Sequence, residues 1–193
     1  MNKTRLEAFS DGVLAIIITI MVLEIKVPHD ASLDALMELL PVFLSYLLSF
    51  AFVAIYWVNH HHLLHCIKKV NSKIMWSNIS LLFTLSLVPF STGWMGENHY
   101  APIPTTLYCI NLLFCGFAAG LLQTAIASGL PPQNKIFTVM KQNLKKTIIS
   151  VILYIVSIIL SFWFPFASLF LIGVVAVMWV VPDKRIEELM EKE

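Results

Sequence analysis

Three polar clusters in this 193-residue chain hold the side chains that could do chemistry. The first is Arg5, Phe9, Ser10 and Asp11, an R-x-x-x-F-S-D pattern that opens a long apolar run, with Thr19 about two turns further on. The second is Asn59, His60, His61, His62 and His65. The third is Trp76, Ser77, Asn78 and Ser80. Such groups suit three kinds of chemistry. A carboxylate and a histidine held in a membrane can bind or relay a proton or a cation. Histidines spaced i, i+4, as His61 and His65 are, share one helical face and can ligate a metal. Serine, asparagine, tryptophan and histidine can also tie helices together by hydrogen bonds.

The elements that position these clusters follow from composition. Hydrophobic residues make up 58% of the chain and charged residues 13%, about half the usual ~25% of a soluble domain. The mean hydropathy is +0.79. A soluble domain of this length has no interior large enough for that much apolar surface, and disorder is excluded. The expectation is an all-α integral membrane protein. Six segments approach the roughly 20 apolar residues a crossing needs: about 6–27, 41–65, 74–92, 103–128, 144–164 and 165–181, followed by a charged tail at 183–193. Prolines mark many of the ends, and Pro89, inside the third segment, predicts a kink. The net charge of +1 offers no footing for a nucleic acid.

Orientation follows from lysine and arginine. With the N-terminus and C-terminus in the cytoplasm and six spans, Lys3, Arg5, Lys68, Lys69, Lys73, Lys135, Lys141, Lys145, Lys146, Lys184, Arg185 and Lys192 all fall inside, and Lys26 alone outside. Glu7 and Asp11 interrupt the first apolar run, and no small-x-small site follows before Pro28, so a retained helix is expected in place of a cleaved signal. The three cysteines, Cys66, Cys109 and Cys115, form no C-x-x-C pair and predict neither disulfide nor thiolate metal site.

This orientation brings the three clusters to one depth, the cytoplasmic end of the first three helices. A hydrogen-bond network that satisfies Asp11 and joins those helices accounts for them most simply. The alternative is a proton or cation site at Asp11, as in a proton-coupled transporter using Asp11 and a helix-two histidine. A metal enzyme fits poorly, because His29 and His99 fall on the other side of the membrane and only Asp11 supplies an acid. No metal and no enzyme activity is expected. On a helical wheel Phe9, Ile16, Ile20, Leu23 and Val27 form one stripe, with Thr19 at its border and Asp11 nearly opposite. Asp11 should then face partner helices of the subunit, while the stripe faces lipid, another helix or something else. Gly116 and Gly120 form a G-x-x-x-G that predicts close helix approach. No nucleotide loop, Ser-His-Asp arrangement or T-V-G-Y-G filter is present.

Arg5, Phe9, Ser10 and Asp11, the aliphatic run into L-E-I-K-V-P, the Tyr56-Trp57 and His60-His61 region, and the Trp76/Asn78 start of the third helix together resemble the transmembrane protein 175 family of lysosomal-type potassium channels. The resemblance covers about the first 95 residues. One F-S-D copy on a six-helix chain matches the prokaryotic form, since animal members carry two. The resemblance implies a homotetramer in the cell membrane, a prokaryotic plasma membrane, around a central pore lined by helix one. It implies a constriction at Ile16, with further layers at Ile20 and Leu23, and a hydroxyl near the narrow part at Thr19. It implies that Ser10 and Asp11 join helices two and three through Trp57, His60, Trp76 and Asn78, with His60 the inner partner over His61 or His62.

The expected function is a potassium-permeable cation channel without cofactor. Rings of Ile16, Ile20 and Leu23 would gate by dewetting. Such rings favour the ion that loses water most cheaply, and a Thr19 ring would add oxygens. Weak-to-moderate potassium selectivity follows, with rubidium and caesium also permeant. Glu24 and Asp30 at the outer mouth either gather cations or are solvated flank charges. Arg5 at the inner mouth is expected in an ion pair.

Overall fold

Asparagine and serine side chains start three of the helices. Asn2, Ser32 and Asn71 accept hydrogen bonds from the backbone N–H groups of Arg5, Ala35 and Ile74, each satisfying a donor that a helix start leaves unpaired. The computed structural model describes residues 2–67, 69–131 and 135–180. Their helices are α1 Lys3–Leu23, α2 Leu33–Glu38, α3 Leu40–His65, α4 Ser72–Ser86, α5 Val88–Glu97, α6 Pro102–Ala127, α7 Lys135–Leu160 and α8 Pro165–Val180. The expected tail at 183–193, and Lys68 with it, lies outside the described residues.

The protein is a helical membrane protein. Among the described residues four stretches are long and apolar enough to cross a bilayer: α1, α3, the pair α4–α5 taken together, and α6. α8 is apolar but shorter, with 16 residues, and α7 has 26 residues, its first half carrying lysines. Several ends differ from expectation. α1 stops at Leu23, so Val27 leaves the helical stripe. The third span runs on to Glu97 and bends where α4 gives way to α5, next to Pro89, whose ring removes a backbone donor. α7 begins at Lys135, well before Leu144. α2 was not foreseen.

Two apolar clusters hold the bundle. Leu14, Ile17 and Met21 of α1 pack with Val53 of α3, Leu81 and Leu85 of α4, and Cys115 and Leu122 of α6. Phe52 of α3, Met95 of α5, Tyr108 and Leu112 of α6, Tyr154 of α7 and Ile172 of α8 form the second. Small polar side chains stitch the helices between them. Ser49 Oγ lies 2.7 Å from Thr92 Oγ1 and 3.0 Å from Tyr108 Oη, Thr106 Oγ1 lies 2.7 Å from Ser161 Oγ, and Tyr100 Oη donates to Pro41 O at 2.7 Å. In a bilayer such bonds and close packing, more than apolar burial, distinguish one helix arrangement from another. At Gly96 α5 lies close against α3: a Cβ there would sit 2.9 Å from both Val42 Cα and Ser45 Oγ of α3. Gly116 and Gly120 do not do this. A Cβ on Gly116 would meet the Tyr154 ring at 3.3 Å, and one on Gly120 only Thr147 Cγ2 at 3.9 Å. Cys66, Cys109 and Cys115 are buried, and no disulfide links them.

Candidate functional site

Apolar residues cover almost the whole circumference of α1, yet only one face of it is buried. Leu6, Ser10, Leu14, Ile17 and Met21, at i, i+4, i+8, i+11 and i+15, are its buried residues. The stripe lies off that face: Phe9 is 57% exposed, Ile16 59%, Ile20 42% and Leu23 74%. Thr19 is exposed too, on the side opposite Ser10 and Leu14. Its hydroxyl donates to Ala15 O at 2.9 Å, which leaves the oxygen lone pairs turned away from the helix.

The buried polar contact between α1 and its neighbours runs through Ser10. The Ser10 hydroxyl donates to Leu6 O at 2.9 Å, so its oxygen must accept from Asn78 Nδ2, also at 2.9 Å. Asn78 then presents Oδ1 to His60 Nε2 at 2.7 Å, and Oδ1 cannot donate, so His60 carries its proton on Nε2. His60, Asn78 and Ser10 are all buried. One directed chain of hydrogen bonds therefore crosses α3, α4 and α1.

Asp11 stands outside this chain. It is exposed, and Oδ1 accepts from Trp57 Nε1 at 2.9 Å. The expected single network is thus two: a buried one through Ser10 and an exposed one through Asp11. Ser10 and Asp11 sit about 100° apart on the helix, and it is Ser10 that points into the bundle. Asp11 and His60 share no hydrogen bond, which removes the direct link a proton relay between them would use. Arg5, Phe9 and Trp76 are also exposed. The ion pair expected of Arg5 does not form with any described residue; its backbone N–H caps onto Asn2. His61 and His65 stack edge-to-face with centroids 4.6 Å apart.

Contacts that the sequence did not announce hold both ends of α1. Lys3 Nζ donates to His65 O at the end of α3, 2.9 Å away. Lys26, just past α1, donates to Glu97 Oε1 of α5 at 2.6 Å. The Glu97 carboxylate holds the Lys26 ammonium above the usual lysine range, so that ammonium stays charged throughout the neutral range. Each latch joins residues more than sixty positions apart, and no local pattern marks such a pairing.

The family model for the endosomal/lysosomal potassium channel TMEM175 matches residues 5–89, the stretch that contains all three polar clusters. A potassium channel of Chryseobacterium sp. (strain P1-3) is 46% identical over 192 residues, covering 100% of each chain. The chain belongs to the TMEM175 family. The fold agrees: the crystal structure of a lysosomal potassium-selective channel TMEM175 homolog from Chamaesiphon minutus matches with TM-score 0.82 at 30% identity, covering 92% of this chain and 95% of that one. The human endosomal/lysosomal proton channel TMEM175 is 26% identical over 127 residues, 63% of this chain and 24% of its own length. Full-length agreement with a bacterial TMEM175 relative, against a quarter of the human one, makes this a prokaryotic-type member of the family.

Proposed function

We propose that the chain is a potassium-permeable cation channel of a prokaryotic plasma membrane, assembled as a homotetramer with α1 lining the central pore. Six segments cross the bilayer, α7 and α8 included, and both termini face the cytoplasm. One observation carries this reading beyond the potassium-channel names of the bacterial relatives. Ile16, Ile20 and Leu23 stand exposed on a helix whose buried face is anchored by a hydrogen-bond chain. A face aimed by such an anchor is suited to an aqueous axis or a second copy.

Four copies of α1 around that axis stack apolar layers at Ile16, Ile20 and Leu23, spaced by about 6 and 4.5 Å at 1.5 Å per residue. Apolar rings close a pore by expelling water without touching across it. Thr19 lies between the first two layers, and its lone pairs give a partly dehydrated cation a replacement ligand. Ions with a loosely held hydration shell pass most cheaply, so potassium, rubidium and caesium permeate better than sodium, to a weak-to-moderate degree. The residues at issue are side chains on a helix, with no carbonyl filter loop, and the function calls for no enzyme chemistry and no cofactor.

The test is potassium flux in proteoliposomes. Ile16→Asn places an amide in the narrowest layer, wets it and raises basal flux severalfold. Flux equal to that of the unmodified protein, at equal reconstitution, overturns the pore assignment.

A further inference from the structure

Three connections meet at one end of the bundle. Lys26 pairs with Glu97, Tyr100 Oη donates to Pro41 O, and the Tyr100 and Phe166 rings lie 5.4 Å apart between centroids. The segment before α3, the α5–α6 turn and the α7–α8 turn therefore share that end. The first two are polar: Glu24, Lys26, Asp30, Glu97 and His99 are exposed on them. The α7–α8 turn reads S-F-W-F-P-F, and no charged residue occurs from Thr147 to Pro182. Phe162, Trp163, Phe164 and Phe166 are each more than half exposed. The hydroxyls beside them turn inward. Ser161 Oγ donates to Ile158 O and Ser168 Oγ to Ser157 O, both at 2.8 Å, and both serines are buried. Three backbone donors of the turn are also met within the chain: Ser161 N by Ser157 O at 2.9 Å, and Trp163 N and Phe164 N by Leu160 O at 3.1 and 2.7 Å. A fourth is missing altogether, since Pro165 has no N–H.

A turn standing in water has no use for these features. Water satisfies stray N–H groups and penalises bare aromatic rings, whereas a turn out of water must satisfy its backbone from within and can expose its rings freely. Length points the same way. Lys146, whose ammonium lies 5.5 Å from the centre of the Trp179 ring, is the last charge on α7, and Ser161 stands about 22 Å further along at 1.5 Å per residue. The hydrocarbon core is about 30 Å thick. With Lys146 at one headgroup layer, α7 does not carry the turn through the other layer into water. We propose that the α7–α8 turn ends submerged in the leaflet at that end, with the rings of Phe162, Trp163, Phe164 and Phe166 docked among the glycerol and upper acyl groups of phospholipid. Side chains so close in sequence cannot all share one flank, so the rings radiate around the tip. A second copy of the chain would cover one side of such a tip; lipid wraps it, and tryptophan collects at the glycerol level. The placement depends on the chain lying in a membrane and not on conduction.

Fluorescence quenching of the full chain in phospholipid vesicles tests this. The dye NBD is attached at Phe164→Cys or, for comparison at the same end of the bundle, at Asp30→Cys. Cys66, Cys109 and Cys115 are buried, and the unmodified protein gives their background. Iodide in the water is expected to quench the dye on the turn severalfold less than the dye on the loop. Lipid carrying a doxyl group near the glycerol is expected to quench the dye on the turn severalfold more than lipid carrying it near the chain terminus. Equal iodide quenching at the two sites puts the turn in water and overturns the placement. Shielding from iodide and from both lipids puts protein over the turn and overturns lipid as its occupant. Stronger quenching from the chain terminus puts the turn at the membrane centre and overturns the glycerol level. Should Phe164→Cys fail to fold, Phe162→Cys is read by the same outcomes.

Discussion

Ser10 and Asp11 are sequence neighbours that the fold sends to different places. Composition marked both as costly groups in an apolar helix, and the depth argument brought them to the histidine and asparagine clusters. What a helical wheel cannot supply is which of two polar residues about 100° apart meets the neighbouring helices, because α1 is apolar nearly all round and offers no polar back to read against. The same limit applies to His60, His61 and His62. Only the rotation of α3 decides which one turns inward, and the structure turns His60 onto Asn78. The energetic consequence is unequal. Asn78→Leu leaves the His60 N–H and the Ser10 oxygen without their buried partner and costs about 1–3 kcal/mol. Asp11→Asn keeps an oxygen acceptor for Trp57 at an exposed position and costs less than about 0.5 kcal/mol. Chemical denaturation of the two purified variants checks the ranking; equal losses contradict it.

At the level of the helix, existence was easier to read than extent. Long apolar runs announce α1, α3 and α6 through hydropathy alone, and Pro89 announces the bend between α4 and α5. α2 escaped because six amphipathic residues between Ser32 and Pro41 are too few to show a period. α5 continues past Thr92 because Met95 and Gly96 are buried against neighbouring helices, a tertiary cause with no local signal. Glycine shows the same difference. Gly96→Ala forces a Cβ to within 2.9 Å of the α3 backbone at Val42, so α5 must withdraw from α3 at a cost of about 1–3 kcal/mol. Gly173→Ala on α8 meets nothing within 4 Å and gains up to about 1 kcal/mol from helix propensity. Melting temperatures should therefore move in opposite directions for these two substitutions, and a common direction would refute the packing account.

For the whole molecule, a single subunit leaves its first helix half bare. The proposed fourfold assembly predicts a particle of four 21.8 kDa chains, read by native mass spectrometry from detergent; a monomer would remove the axis on which the apolar rings depend. Subunit number was never legible in composition, since a lipid-facing stripe and a pore-facing stripe are made of the same residues. The two latches on α1 set how such an assembly can move. Lys3 ties the N-terminal end to α3 and Lys26 ties the C-terminal end to α5, while Ser10 pins one flank from the side. In mechanical terms α1 is a beam clamped at both ends and braced off-centre. Sliding along its axis would break both clamps at once, whereas bowing or twisting strains neither. The greatest excursion of such a beam falls near mid-span on the unbraced side, where Ile16 stands.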